Sequence, residues 1–179
     1  MNTLTPVQQK FILHWGEMGT RWGINRTVAQ MHALLFLSPG PLNAEQLAAL
    51  LGVARSNVST SLRELQNWGL IKVVHLLGDR RDHFECVTRD VWDMFRQVLD
   101  ERKKREIDPT LELLKACVAE AEAAGPAEKL TRDRLADMRD FFEVSSGWYR
   151  QISRLPTAGL IKFMKAGEKL RKFLGLGIE

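Results

Sequence analysis

The 179-residue chain holds only two cysteines, Cys86 and Cys117, and neither sits at the spacing of a metal site. They read as two free thiols in a reducing cytoplasm, with a disulfide or a redox sensor as the alternative. The N-terminus lacks the basic-then-apolar pattern of an export signal. No apolar run reaches the ~18 residues that a membrane span needs. There is no phosphate loop, no cluster of metal ligands and no nucleophile–base pair at catalytic spacing. No catalytic residue, cofactor, metal or membrane partner is therefore expected, and the expected location is cytoplasmic. Internal repeats and low-complexity tracts are missing too. Charge of one sign is also scarce: 26 Lys and Arg stand against 22 Asp and Glu, a net +4. That tolerates a nucleic-acid partner without demanding one.

What is present is ordinary globular material, 45% hydrophobic and 27% charged. It suffices for one domain, or for one domain with an oligomerisation arm. Thr5-Pro6 reads as a helix start, an N-cap hydroxyl followed by a proline whose missing N–H does no harm. Val7, Phe11, Trp15, Met18 and Trp22 then form one apolar stripe, which Gly23 should end. A nearly all-apolar helix from about Asn25 to Leu37 reads as the buried centre, and Ser38-Pro39-Gly40-Pro41 stops it. Asn43, with Gln46 three residues on, reads as a capping box opening a short helix with Leu47, Leu50 and Leu51 inside. Gly52 supplies a turn. The next helix runs from about Arg55 to Trp68 on a core stripe of Val58, Leu62 and Leu65, and Gly69 ends it.

Ile71 to Leu77 reads as a strand, Gly78 to Asp82 as a turn, and Phe84 to Val87 as the return strand. A long helix starts near Asp90 with Val91, Phe95, Val98 and Leu99 on one face. Asp100 to Asp108 is a solvated, mixed-charge face, and Pro109 should kink or interrupt the helix. Leu111, Leu114 and Val118 continue its stripe. Gly125-Pro126 breaks the chain, a helix follows from about Ala127 to Ile152, and Pro156 breaks it again. The last helix spans about Thr157 to Leu174.

Chemistry concentrates between Asn43 and Thr88. A DNA-reading helix needs short polar side chains toward the base edges and arginine for guanine or phosphate. Ser56, Asn57, Ser59, Thr60 and Arg63 supply that palette on one side of one helix. Arg55 stands at its N-terminal edge, where the helix dipole favours phosphate. A plain solvated face is the alternative, but such faces favour Glu and Lys over these poorer helix formers. At the hairpin tip, Arg80 and Arg81 lie between Asp79 and Asp82. An arginine on a narrow turn can enter a minor groove, and a neighbouring aspartate can orient it. One count cuts the other way. From Asn43 to Asp90 the bases Arg55, Arg63, Lys72, Arg80, Arg81 and Arg89 are cancelled by Glu45, Glu64, Asp79, Asp82, Glu85 and Asp90. This is no generic polyanion binder, and a protein-docking module without sequence-specific DNA binding remains the alternative.

These words resemble the winged helix of the MarR superfamily, and more specifically its GbsR-like branch. The matching residues are Phe11-Ile12 through Trp22-Gly23-Ile24-Asn25-Arg26-Thr27, the turn Ser38 to Leu42, Leu50 to Ser59, Leu62 to Leu65 with Trp68 to Ile71, and Gly78 to Glu85. They cover roughly Pro6 to Thr88. Beyond about Asp108 the likeness is only that of being helical. The resemblance implies a mainly α fold with a small β-hairpin wing: a winged helix-turn-helix with N- and C-terminal dimerisation helices. It divides the chain into 1–24 for N-terminal packing and dimerisation, 25–90 for DNA binding, and 91–179 for helical dimerisation. It further implies a homodimeric transcription regulator, often a repressor, reading a pseudo-palindrome in double-stranded DNA. The DNA positions would be Arg55, Ser56, Asn57, Ser59, Thr60, Arg63, Arg80 and Arg81, with Asp79 as wing support.

Trp15, Trp22, Trp92 and Phe95 flank the head in such a fold. They could form a small-molecule effector pocket, since aromatic faces attract quaternary ammonium groups. Core and dimer-interface packing is the plainer account. His14 and His32 read as ordinary polar or buried positions, while His75 and His83 flank the wing. In the last helix Leu160, Phe163, Gly167, Leu170 and Leu174 alternate with Lys162, Lys165, Lys169 and Lys172. Such a helix packs on a partner subunit or lies on a membrane surface.

Overall fold

Local signals set most of the helix ends. In the computed structural model, which describes the backbone of residues 3–173 and the side chains of residues 3–166, Thr5 and Gln8 close a capping box at the start of α1 (Pro6–Arg21). Asn25 caps α2 (Arg26–Leu37) by accepting the Thr27 N–H. Asn43 and Gln46 close a second capping box on α3 (Ala44–Leu51). Gly52 ends that helix with φ of 66°, a left-handed conformation that costs other residues free energy. The polar-faced helix follows as α4 (Arg55–Asn67).

The sheet departs from the expected hairpin in two ways. It has three strands, in the order β1 (Leu42–Asn43), β3 (His83–Cys86), β2 (Ile71–Val74). Leu42 and Asn43 pair antiparallel with Phe84 and His83, so the turn before α3 doubles as an edge strand. The strand from Ile71 also stops at Val74, opposite His83, and does not reach Leu77. With no partner beyond that register, Leu76 and Leu77 are left exposed despite their apolar character.

The core of the first unit, which ends at Val98, gathers around α2. Met31, Leu35, Leu47, Val58 and Leu65 are fully buried there, joined by Ile12, Leu34, Leu62, Ile71 and Phe84. The face that α1 buries overlaps the predicted stripe only in part: Trp15 and Met18 are half-buried, and Trp15 packs against the core. Ile12, Gly16 and Gly19 are buried, whereas Val7 is 78% exposed and Phe11 and Trp22 are exposed too. The reason is the two glycines. A Cβ on Gly19 would lie 2.5 Å from the Ala29 Cβ, and one on Gly16 would lie 2.5 Å from the Gln30 Cγ. Two missing side chains let α2 approach, and close packing favours that face over a bulkier one.

α5 (Val91–Arg102) buries Met94, and its Gln97 amide donates to the Trp68 carbonyl at 3.1 Å. Of Val91, Phe95, Val98 and Leu99, expected on one face, Val98 is half-buried and the other three are exposed. Pro109 does interrupt the helix, but through a π turn over Lys103–Ile107 in which Asp108 N–H donates to the Lys103 carbonyl. That turn hands the chain to α6 (Asp108–Ala124). After Gly125 and a 3₁₀ turn comes α7 (Lys129–Ser153), which packs on α6 over Leu114, Val118 and Ala121, and then α8 (Thr157–Phe173). These belong to a second unit that begins at Leu99. Among the described residues no helix is long and apolar enough to cross a membrane. In α8, Lys162, Phe163 and Lys165 are exposed; Leu174 and the side chains of Gly167, Lys169, Leu170 and Lys172 lie outside the described residues.

Candidate nucleic-acid interface

The two faces of α4 separate cleanly. Val58, Ser61, Leu62 and Leu65 point into the core, and Arg55, Ser56, Asn57, Ser59, Thr60 and Arg63 are all exposed. The helix N-cap is Ala54, whose methyl group cannot accept a hydrogen bond. The amide N–H groups of the first turn therefore face solvent without a side-chain acceptor from their own cap, beside the guanidinium of Arg55. That is a ready place for a phosphate. Ser59 donates to the Arg55 carbonyl at 3.1 Å, which leaves its oxygen lone pairs facing outward.

The wing is braced from its root. Asp79 accepts the Arg81 backbone N–H at 3.0 Å and grips the same guanidinium through Nε at 2.9 Å and Nη2 at 2.6 Å. The side-chain hydrogen bonds from Arg81, and then its backbone N–H, hold the Asp79 carboxyl well below the usual carboxylate range. The same pair raises the Arg81 guanidinium above its ordinary value. Buried His83 donates from Nδ1 to the Arg81 carbonyl at 3.0 Å, and its Nε2 lies 3.6 Å from Asp79. Asp79 and Arg81 are thus held against each other at the start of the wing. Arg80 is exposed beside it, and among the described residues neither Arg80 nor Arg63 has an ion-pair partner.

One contact was not legible in the sequence. Glu45, in the first turn of α3, accepts from Arg55 Nη2 at 2.8 Å and from Arg81 Nη1 at 3.2 Å. It joins α4 to the wing across an open cleft of 520 Å³ that Ser59, Arg63 and Gln66 also line.

Behind this surface lies a narrow apolar cavity of 70 Å³. Trp15, Trp22 and Phe95 line it as candidate effector residues, together with Trp68, Met94, His32 and Glu64. The Trp15 and Trp22 rings meet edge to face at 5.9 Å. Trp92 is not brought to it and stays exposed at the start of α5. Burial depresses the His32 imidazole to about 4, so it is neutral at pH 7. Trp68 is not among the expected pocket residues because in the sequence it reads as the end of a helix, which it caps. Among the described residues no group of three or more His, Cys, Asp or Glu is placed to hold a metal ion.

Residues 22–82 match the model of the MarR family. No curated protein matches the chain. Among solved structures, a transcriptional regulator is 24% identical, with 82% of this chain and 99% of that chain covered and a TM-score of 0.53. The transcriptional regulator Tm0710 from Thermotoga maritima is 20% identical over 77% of this chain and 90% of its own, with a TM-score of 0.38. MepR of S. aureus, solved in complex with DNA, is 18% identical over 66% and 91%, with a TM-score of 0.36. The sheet order and the exposed face of α4 give this region the form of a winged helix, and residues 22–82 of it are similar to the MarR family.

Proposed function

We propose that the protein is a DNA-binding transcription regulator of the GbsR-like branch, working in the cytoplasm as a homodimeric repressor on a pseudo-palindromic operator. The observation that carries this reading is α4. Its outward face is a row of short polar side chains bounded by Arg55 and Arg63, next to a wing arginine that is held in place. Ser, Thr and Asn can donate to or accept from base edges, and the arginines meet phosphate or guanine. The family match over residues 22–82 supports the reading. In this scheme residues 25–90 form the head, while residues 1–24 and 91–179 supply the dimer contacts. The exposed apolar side chains of Val7 and Phe11 on α1, and of Phe141, Val144 and Trp148 on α7, support that assignment.

A dimer would set two α4 helices about one DNA turn, roughly 34 Å, apart. A small-molecule effector is proposed to enter the cavity between Trp15, Trp22 and Phe95. It would release DNA only to the extent that it binds the misspaced state more tightly. Selection of bound duplexes from a random pool tests the whole scheme. An inverted repeat is expected. No enrichment by folded, dimeric protein, with and without added cell metabolites, would overturn it. That outcome would favour a protein-docking winged helix, a reading for which the cancelling charges of the head speak.

A further inference from the structure

Glu45 sits between the guanidinium groups of Arg55 and Arg81 and accepts from both. We propose that it is a specificity-determining residue of the head: an internal stand-in for phosphate that holds Arg55 and Arg81 until a duplex displaces it. The inference rests on the DNA-binding reading above.

The geometry follows from the third strand. Asn43 pairs with His83 in antiparallel register, so continuing two residues along each chain brings Glu45 opposite Arg81. The capping box fixes that approach. Gln46 N–H donates to Asn43 Oδ1 at 3.0 Å, Asn43 N–H donates to Gln46 Oε1 at 2.9 Å, and Asn43 itself is buried. The N-terminal turn of α3 also favours a carboxylate there.

The consequence is chemical competition. Asp79 already holds Nε and Nη2 of Arg81, so Nη1 is the edge left to meet a DNA phosphate, and Glu45 takes it. The other Glu45 oxygen takes Nη2 of Arg55 at the N-terminus of α4. Two guanidinium groups are thus matched by two carboxylates, and the pull of Arg55 and Arg81 on any polyanion is offset. A phosphate at one arginine alone leaves Glu45 bound to the other. Only a duplex that presents phosphates to reading helix and wing together displaces both contacts. Glu45 therefore weakens non-specific binding more than binding in register.

The test is the full-length Glu45→Gln protein, which keeps the side-chain shape and removes the charge, with Glu45→Ala beside it. Fluorescence anisotropy measures binding to a random-sequence duplex of about 30 base pairs, long enough for two half-sites, from low to moderate NaCl. Circular dichroism confirms that both variants are folded. Both variants are expected to bind about tenfold more tightly than wild type at low salt, with a log–log salt slope steeper by up to about 0.9 per head. Equal or weaker binding by Glu45→Gln, with wild type binding normally, overturns the stand-in role and leaves the DNA-binding reading intact. A gain in Glu45→Ala alone also overturns it, because opened space rather than lost charge would then be the cause. Failure of all three proteins to bind duplex at any salt overturns the DNA-binding reading itself.

Discussion

Replacing Arg81 with alanine removes the wing cation that Asp79 and Glu45 now hold. If each head of a dimer places one such cation on phosphate, two phosphate contacts are lost. Each is worth about 0.9 in the log–log dependence of affinity on salt, so the slope should fall by about 1.8. Between 50 and 200 mM salt, wild type should then lose about 12-fold more affinity than Arg81→Ala. The loss should be largest at low salt and nearly uniform across duplex sequences, because phosphate contacts position the protein and base contacts specify. Stability should hardly change, since the ion pairs concerned are exposed and such pairs contribute little. Asn57→Ala is the contrasting control: an exposed, neutral side chain on the reading face should affect discrimination between sequences and leave the slope alone. Anisotropy titrations at four or five salt concentrations, with thermal melts of each variant, measure all of this. An unchanged slope in a folded Arg81→Ala protein that still binds DNA would refute the placement of this arginine on the backbone.

Gly19→Ala should lower stability by about 1 kcal/mol: overpacking against Ala29 costs about 1–3 kcal/mol, and replacing a helical glycine returns up to about 1. The double variant Gly19→Ala with Ala29→Gly should recover most of the loss in urea unfolding, since it relieves the 2.5 Å approach. His32 should make the protein acid-sensitive. Its folded pKa of about 4 lies below the ordinary 6.5, so the unfolded chain takes up the proton first as pH falls. Stability should therefore decline from about pH 6.5 to pH 4, by about 3 kcal/mol in total, and His32→Leu should flatten that stretch of the profile. Asp79 acts lower on the scale. Its folded pKa is depressed, so its contribution is present above the unfolded value near 3.8 and is lost as pH falls further. Asp79→Asn should remove that acid-limb dependence in pH-resolved melts.

Helix ends were legible because their causes are local. Thr5 and Asn43 cap the helix that begins one residue later, and Gly52 and Gly69 adopt positive φ where the chain must turn. The outward face of α4 was legible for a similar reason. A period of 3.6 residues divides Val58, Leu62 and Leu65 from Ser56, Asn57, Thr60 and Arg63 whatever the helix packs on. The inner face of α1 was legible only at Trp15 and Met18. Periodicity picked the large side chains, whereas Gly16 and Gly19 decide which face fits closely on α2, and that depends on both helices.

The sequence by itself determined the order of the helices and the hairpin, the caps at Thr5 and Asn43, the polar outward face of α4 and the closeness of Asp79 to Arg81, which are two residues apart. Only the tertiary structure decided that Leu42 and Asn43 form a third strand, that Trp68 joins Trp15 and Trp22 around one cavity, and that Glu45 meets both Arg55 and Arg81. Glu45 stands ten residues from one partner and thirty-six from the other. No local spacing rule spans such separations, because the first closes when α4 packs on α3 and the second when the β1–β3 register forms.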